Sequence, residues 1–179
     1  MRNTMRVTAS IPFGARILRL ICLFLMAFFS SIHDASAAGW IYNSEENPLT
    51  GGRDSWTSIQ ASGPTSGDTI SDSPMLLYVS CLEGKLEVSL ETGNYMGRGW
   101  LDVRYRFDED GPISEKWISS NDGTALFVPS KYKDFRRGMR VANKLAIEVY
   151  DYRGVPFRTV FDSLLENSQF IDRVIEECK

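Results

Sequence analysis

Histidine, the residue that enzymes most often use near neutral pH, is nearly missing here: His33 is the only one in 179 residues. It falls in a leader segment expected to be removed, so the remaining chain has none. Without it there is no Ser-His-Asp triad, no Cys-His dyad and no ordinary catalytic zinc site. A serine–lysine hydrolase would show Ser-x-x-Lys at a helix start. The chain has only Ser130-Lys131 and Ser114-Glu115-Lys116, neither at that spacing. No apolar run reaches the roughly 20 residues that cross a bilayer as a helix. There is no run of five or more basic residues, which argues against nucleic acid as a partner. No repeat or low-complexity tract is present, and nothing in the sequence calls for a cofactor.

The leader is recognisable by its order. Arg2, Arg6, Arg16 and Arg19 precede an apolar run of about ten residues, Leu20 to Phe29, and Ala35-Ser36-Ala37 fits an A-x-A cleavage site. The reading is a secretory signal peptide over 1–37 followed by one domain over 38–179, with no transmembrane span once the leader is cleaved. An uncleaved N-terminal anchor is the alternative. Four of the 20 basic and one of the 23 acidic residues lie in the leader, so the domain carries 16 basic against 22 acidic side chains.

Cysteine is scarce as well. Cys22 leaves with the leader, and Cys81 and Cys178 remain. Two cysteines in an exported chain most simply form one disulfide; two free thiols are the alternative. Closing a loop of about 100 residues is worth up to ~4.7 kcal/mol in the chain-entropy model.

What is present is alternation. In the stretch Gly99 to Ser130, Leu101, Val103, Tyr105 and Phe107 alternate with Asp102, Arg104, Arg106 and Asp108, so apolar and charged sets lie on opposite faces of a strand. Asp110-Gly111-Pro112 and Asn121-Asp122-Gly123 are turn signals that set off two further strands. Upstream, Met75 to Cys81 reads as a central strand. Glu83-Gly84 is a tight turn, and Lys85 to Glu91 has Leu86, Val88 and Leu90 inward, which makes a hairpin. Ser62 to Pro74 reads as a mobile loop and Thr92 to Gly99 as a flexible connection. Ser130 is placed to cap a helix with Tyr132, Phe135, Met139 and Ala142 on one stripe, weakened by Gly138 at ~1 kcal/mol. Two more strands follow, around Leu145 to Tyr152 and Pro156 to Asp162. A closing helix presents Leu164, Ile171, Val174, Ile175 and Cys178. The expected fold is mainly β (α+β): an antiparallel β-sandwich or curled sheet of about eight strands with two short helices, the C-terminal one tied down by the disulfide.

Few residues offer chemistry. Asp108, Glu109 and Asp110 are the nearest thing to a carboxylate pair or calcium loop, but they sit in a turn where acids simply solvate, and the calcium-loop pattern is not met. Lys131 to Arg140 would make a basic helix suited to an acidic surface or to plain solvation. Trp40, Trp56, Trp100 and Trp117 would suit a sugar-binding platform or a core. The surface expected to bind a partner is Arg104, Arg106, Asp108 and Trp117.

The order of features resembles the periplasmic TagO/VasI family associated with type VI secretion. The resemblance rests on early Trp40, the strand Asp54 to Ala61, Cys81, Tyr105-Arg106-Phe107-Asp108, Trp117 to Asp122, Ala125-Leu126-Phe127, and Phe161-Asp162 ahead of Cys178. The family's Phe-Asp-Leu-x-Gly-Leu is here Phe161-Asp162-Ser163-Leu164-Leu165, without the glycine. The resemblance implies a small periplasmic accessory protein with no catalytic residues to carry over. The functional expectation is a non-catalytic exported adaptor that binds another envelope protein. The alternatives are an inhibitor of a peptidoglycan-cleaving enzyme, presenting Ser62 to Pro74 or Thr92 to Gly99 as a plug, and a sugar-binding module.

Overall fold

The computed structural model describes residues 39–62 and 74–179. The expected signal peptide, and nearly all of the loop expected over Ser62 to Pro74, lie outside them. Period-two alternation becomes nine strands: β1 (Ile41–Glu46), β2 (Arg53–Gln60), β3 (Leu76–Leu82), β4 (Lys85–Glu91), β5 (Trp100–Phe107), β6 (Ile113–Ser119), β7 (Ala125–Phe127), β8 (Leu145–Tyr150) and β9 (Pro156–Phe161). Two helices, α1 (Lys133–Val141) and α2 (Gln169–Glu177), complete the fold. All neighbouring strands are antiparallel and form one open sheet in the order β1-β2-β3-β4-β7-β6-β5-β8-β9. Of the two architectures expected, the continuous sheet is the one found. Nine strands form where about eight were expected, each at a stretch the sequence marked as extended.

The order departs from a simple meander at one place. After β4 the chain skips two positions to lay down β5, then returns through β6 and β7 to fill the gap. The β3–β4 turn is of the type hairpins favour: Glu83 and Gly84 both have positive φ, which matches the right-handed twist of the strands. The skip from β4 to β5 runs through residues 92–99, and this segment is not a loose connection. Thr92, Asn94 and Met96 are buried. The Thr92 hydroxyl donates to the Thr124 carbonyl at 2.7 Å, and the Met96 amide donates to Gly123 at 2.8 Å. Buried backbone groups need partners, and the β6–β7 turn supplies them.

One face of the sheet is buried as a single apolar cluster. Leu77, Val79 and Cys81 of β3, Val88 and Leu90 of β4, Val103, Tyr105 and Phe107 of β5 and Leu145, Ile147 and Val149 of β8 all point into it. α1 closes one part of this face. Its Phe135 ring meets Tyr105 and Trp117 edge-on, with centroids 4.8 Å away in each case. No side-chain cap begins α1, whose N-cap is Tyr132 rather than Ser130; packing of the Phe135–Met139 stripe holds it instead. α2 covers β2 and β3. It is fastened by the Cys81–Cys178 disulfide, with Cα atoms 5.5 Å apart, and by the Tyr42 hydroxyl donating to the Glu177 carboxylate. Arg173 bridges the two, lying over the Tyr42 ring and pairing with Glu177 at 3.1 Å.

Two predictions follow from this packing. Replacing Cys81 and Cys178 together by serine removes the staple and lowers unfolding free energy by about 2–5 kcal/mol, read from the urea midpoint. Gly138→Ala should destabilise, by about 1–3 kcal/mol, although alanine is the better helix former by ~1 kcal/mol. A methyl at 138 would overlap the Phe107 ring, itself wedged between Tyr105 and Phe135. A gain in midpoint would show that α1 can back away from β5.

Candidate partner-binding face

β5 alternates so that Val103, Tyr105 and Phe107 enter the core while Trp100, Asp102, Arg104 and Arg106 stand exposed on the opposite face. The register decides what surrounds them. Arg104 lies opposite Glu148 of β8, and Glu148 lies opposite Arg158 of β9. One step along, Arg106 lies opposite Ala146, and Ala146 opposite Val160. These residues, with Pro112 from the β5–β6 turn, line an open groove of about 460 Å³. Three guanidinium groups and one carboxylate face a partly apolar floor, on a chain whose formal net charge is −3.

The charges are unevenly spent. Glu148 accepts the Tyr150 hydroxyl at 2.6 Å and pairs with the Arg158 guanidinium. The tyrosine hydrogen bond, then Arg158, then the more distant Arg104 hold the Glu148 carboxyl below the usual glutamate value, against the burial that opposes them. The same bond pushes the Tyr150 phenol up. Arg104 feels Glu148 only at longer range. Arg106 makes no ion pair or hydrogen bond among the described residues. Nearby, Asp102 and Lys116 pair at 2.7 Å, but both are more than half exposed, so this contact contributes little to stability.

Of the four residues expected at a binding surface, Arg104 and Arg106 are brought together here. Trp117 is a correction, because its ring is 0 % exposed. It sits in the centre of β6, donates through Nε1 to Glu115 at 3.0 Å and packs on Phe135. Glu115 also accepts the Tyr105 hydroxyl at 2.8 Å; burial and then this contact push that phenol up. Asp108 stays at the surface but its carboxylate is occupied: Oδ1 accepts the amides of Asn143 and Lys144 at 3.1 and 2.9 Å, clamping the end of β5 to the start of β8. It adopts φ 43° to do so.

The other candidates divide similarly. Asp122, in the second turn signal, caps its own turn by accepting from the Ser120 hydroxyl and the Thr124 amide, contacts that lower its pKa. On α1, Arg137 pairs with Asp134 and Arg140 with Asp172 of α2, while the partly buried Arg136 donates to the Val128 carbonyl. Much of that basic run therefore serves the fold. The four tryptophans form no common platform: Trp40 and Trp117 are buried, Trp56 is intermediate and Trp100 is 56 % exposed. Residues 92–99, one of the two plugs considered for an inhibitor, are hydrogen-bonded to the β6–β7 turn, with Thr92, Asn94 and Met96 buried and Tyr95 exposed.

Arg158 and Glu148 were missed in the sequence. Their alternation with apolar neighbours was visible, but only pairing of β8 with both β5 and β9 puts them beside Arg104.

No family model matches the chain, and a search of curated proteins finds no relative. Among solved structures, the fold is similar to that of invasion-associated protein B from Bartonella henselae. The TM-score is 0.50 at 14 % identity, covering 76 % of this chain and 92 % of that one. At this identity the likeness concerns the fold.

Because the Tyr150 hydroxyl is the first cause of the lowered Glu148 pKa, Tyr150→Phe should move the Glu148 carboxyl titration upward in NMR. The sign for stability follows. A depressed folded pKa contributes stability that is present above the ordinary glutamate value and lost as pH falls through the folded one. The variant should therefore show a smaller fall in unfolding free energy between neutral pH and about pH 3. An unmoved Glu148 titration would assign the shift to Arg158 instead.

Proposed function

We propose that the protein is exported, acts by binding rather than catalysis, and serves as an accessory or adaptor that holds another envelope protein. The observation that carries this reading is Arg106. A guanidinium without an ion pair or hydrogen bond among the described residues stands beside Arg104 and Arg158 over an apolar floor. Such an arrangement favours a surface that presents carboxylates next to aliphatic groups, since arginine offers a planar set of donors matched to carboxylate geometry.

Export is supported by the expected leader and by the Cys81–Cys178 disulfide, a bond that persists in oxidising compartments. No helix among the described residues is long and apolar enough to cross a membrane. The setting follows the resemblance: a periplasmic accessory role, with type VI secretion as the system it points to.

The test is capture from envelope extracts by the oxidised protein, followed by titration of the purified partner. Arg106→Ala should leave the urea midpoint within roughly 0.5 kcal/mol of the parent and weaken the partner by about tenfold, ~1.4 kcal/mol. Arg106→Glu should weaken it further, and raised salt should weaken the parent complex. Equal affinity for parent and Arg106→Glu would overturn this assignment of the face. Recovery of a wall-cleaving enzyme as the partner would replace the adaptor role by an inhibitory one.

A further inference from the structure

At the far end of the same outer face, three large aromatic rings stand in solvent. Trp100 is 56 % exposed, Tyr152 64 % and Tyr95 46 %. Trp100 and Tyr152, with Tyr150, Asp102 and Gly154, border a hollow of about 510 Å³, within the usual range of roughly 300–1,000 Å³ for small-molecule sites. The hollow shares no lining residue with the arginine groove, and Tyr150 on its border donates through its hydroxyl to Glu148 of that groove.

The rings are held rather than left to wave. Tyr152 packs on Tyr95 with centroids 5.5 Å apart. Tyr152 also rests against Gly97, where a Cβ would lie 2.9 Å from its own Cβ. Tyr95 rests in turn on Gly123, where a Cβ would fall 2.5 Å from its ring. Both glycines belong to the hydrogen-bonded pair of segments at 92–99 and 120–124. On the other side, Asp151 is fully spent inside the turn, accepting from the Arg153 and Val155 amides and pairing with the Arg153 guanidinium, which fixes the backbone that carries Tyr152. A pre-formed surface of this kind binds without first losing side-chain entropy.

Its polar groups are not all spent. Asp102 commits Oδ1 to Lys116 and leaves Oδ2 to accept, and the Trp100 indole N–H has no hydrogen-bond partner among the described residues. We propose that this hollow is a saccharide-binding site. A pyranose ring lays the C–H groups of one face on the electron-rich face of Trp100 and Tyr152, while its hydroxyls donate to Asp102 Oδ2 and accept from the indole N–H. An acyl chain would gain the aromatic contacts but leave Asp102 Oδ2 and the Trp100 indole N–H without partners; a sugar satisfies both halves.

The probes are chitotetraose, cellotetraose and maltotetraose, titrated calorimetrically into the purified oxidised protein with tryptophan emission followed in parallel. At least one should bind saturably and shift emission to the blue, because Trp100 is the most exposed tryptophan. Trp100→Ala should weaken that probe by about tenfold and abolish the shift. Tyr152→Ala, on a different element, should weaken it as well, and covers the case in which the Trp100 variant folds poorly. Arg106→Ala should leave it unchanged, just as Trp100→Ala should leave partner capture unchanged, so the two sites fail separately. No saturable binding of any probe up to roughly millimolar concentration, or equal affinity after both aromatic substitutions, would overturn the proposal. So would loss of protein-partner capture in Trp100→Ala without any glycan binding by the parent.

Discussion

The edge-on packing of Phe135 against Tyr105 and Trp117 is the interaction on which the rest of the structure leans. A nine-stranded sheet with one apolar face must cover that face, and the described residues supply two nine-residue helices to help. α1 has no side-chain cap at its start and carries a glycine in its interior, so its own propensity does little to hold it. It is helical because its apolar stripe is buried, and it lies close because Gly138 leaves room for the Phe107 ring. This docking sets the position of β5 and β6 from below. The outer side chains of β5 inherit that position, so the aromatic core and the arginine groove are two faces of one strand.

The outer face itself is divided by charge and by aromatic content. At one end, Glu148 draws Arg158 and Tyr150 together, and Arg106, without an ion pair among the described residues, stands beside an apolar floor. At the other, Trp100 and the paired tyrosines stand over Asp102. The Asp102–Lys116 pair on this face is exposed and contributes little to holding the sheet. Residues that contribute little to stability yet are held in place by packing beneath them suit recognition.

Legibility in the sequence followed periodicity. The inward sets of β3, β4 and β5 were readable because a buried strand face repeats every second residue, and the Glu83-Gly84 turn because two positive φ values favour glycine. Errors arose where a residue's type overrode its parity. Trp117 looked like a surface aromatic because β6 alternates poorly, with Ile113 and Ile118 at opposite parities, yet its side chain shares the inner face with the Glu115 carboxylate. Asp108 looked like a free acid because its partners, the amides at 143 and 144, are 35 and 36 residues away. Residues 92–99 looked flexible because glycine marks permissive backbone; three-dimensional contact turned that freedom into close approach, with Tyr95 and Tyr152 resting against glycines.

By itself the sequence determined the fold class, the inward face of each well-patterned strand and the pair of cysteines available for a staple, because these depend on local period and on composition. Tertiary structure alone decided the strand order, with β7 laid between β4 and β6, and so decided which outer residues meet. Arg104, Glu148 and Arg158 are separated by up to 54 positions and form one row only through the β5–β8 and β8–β9 registers. Register is a non-local quantity, set by how whole strands bury their apolar faces together, and no window of neighbouring residues contains it.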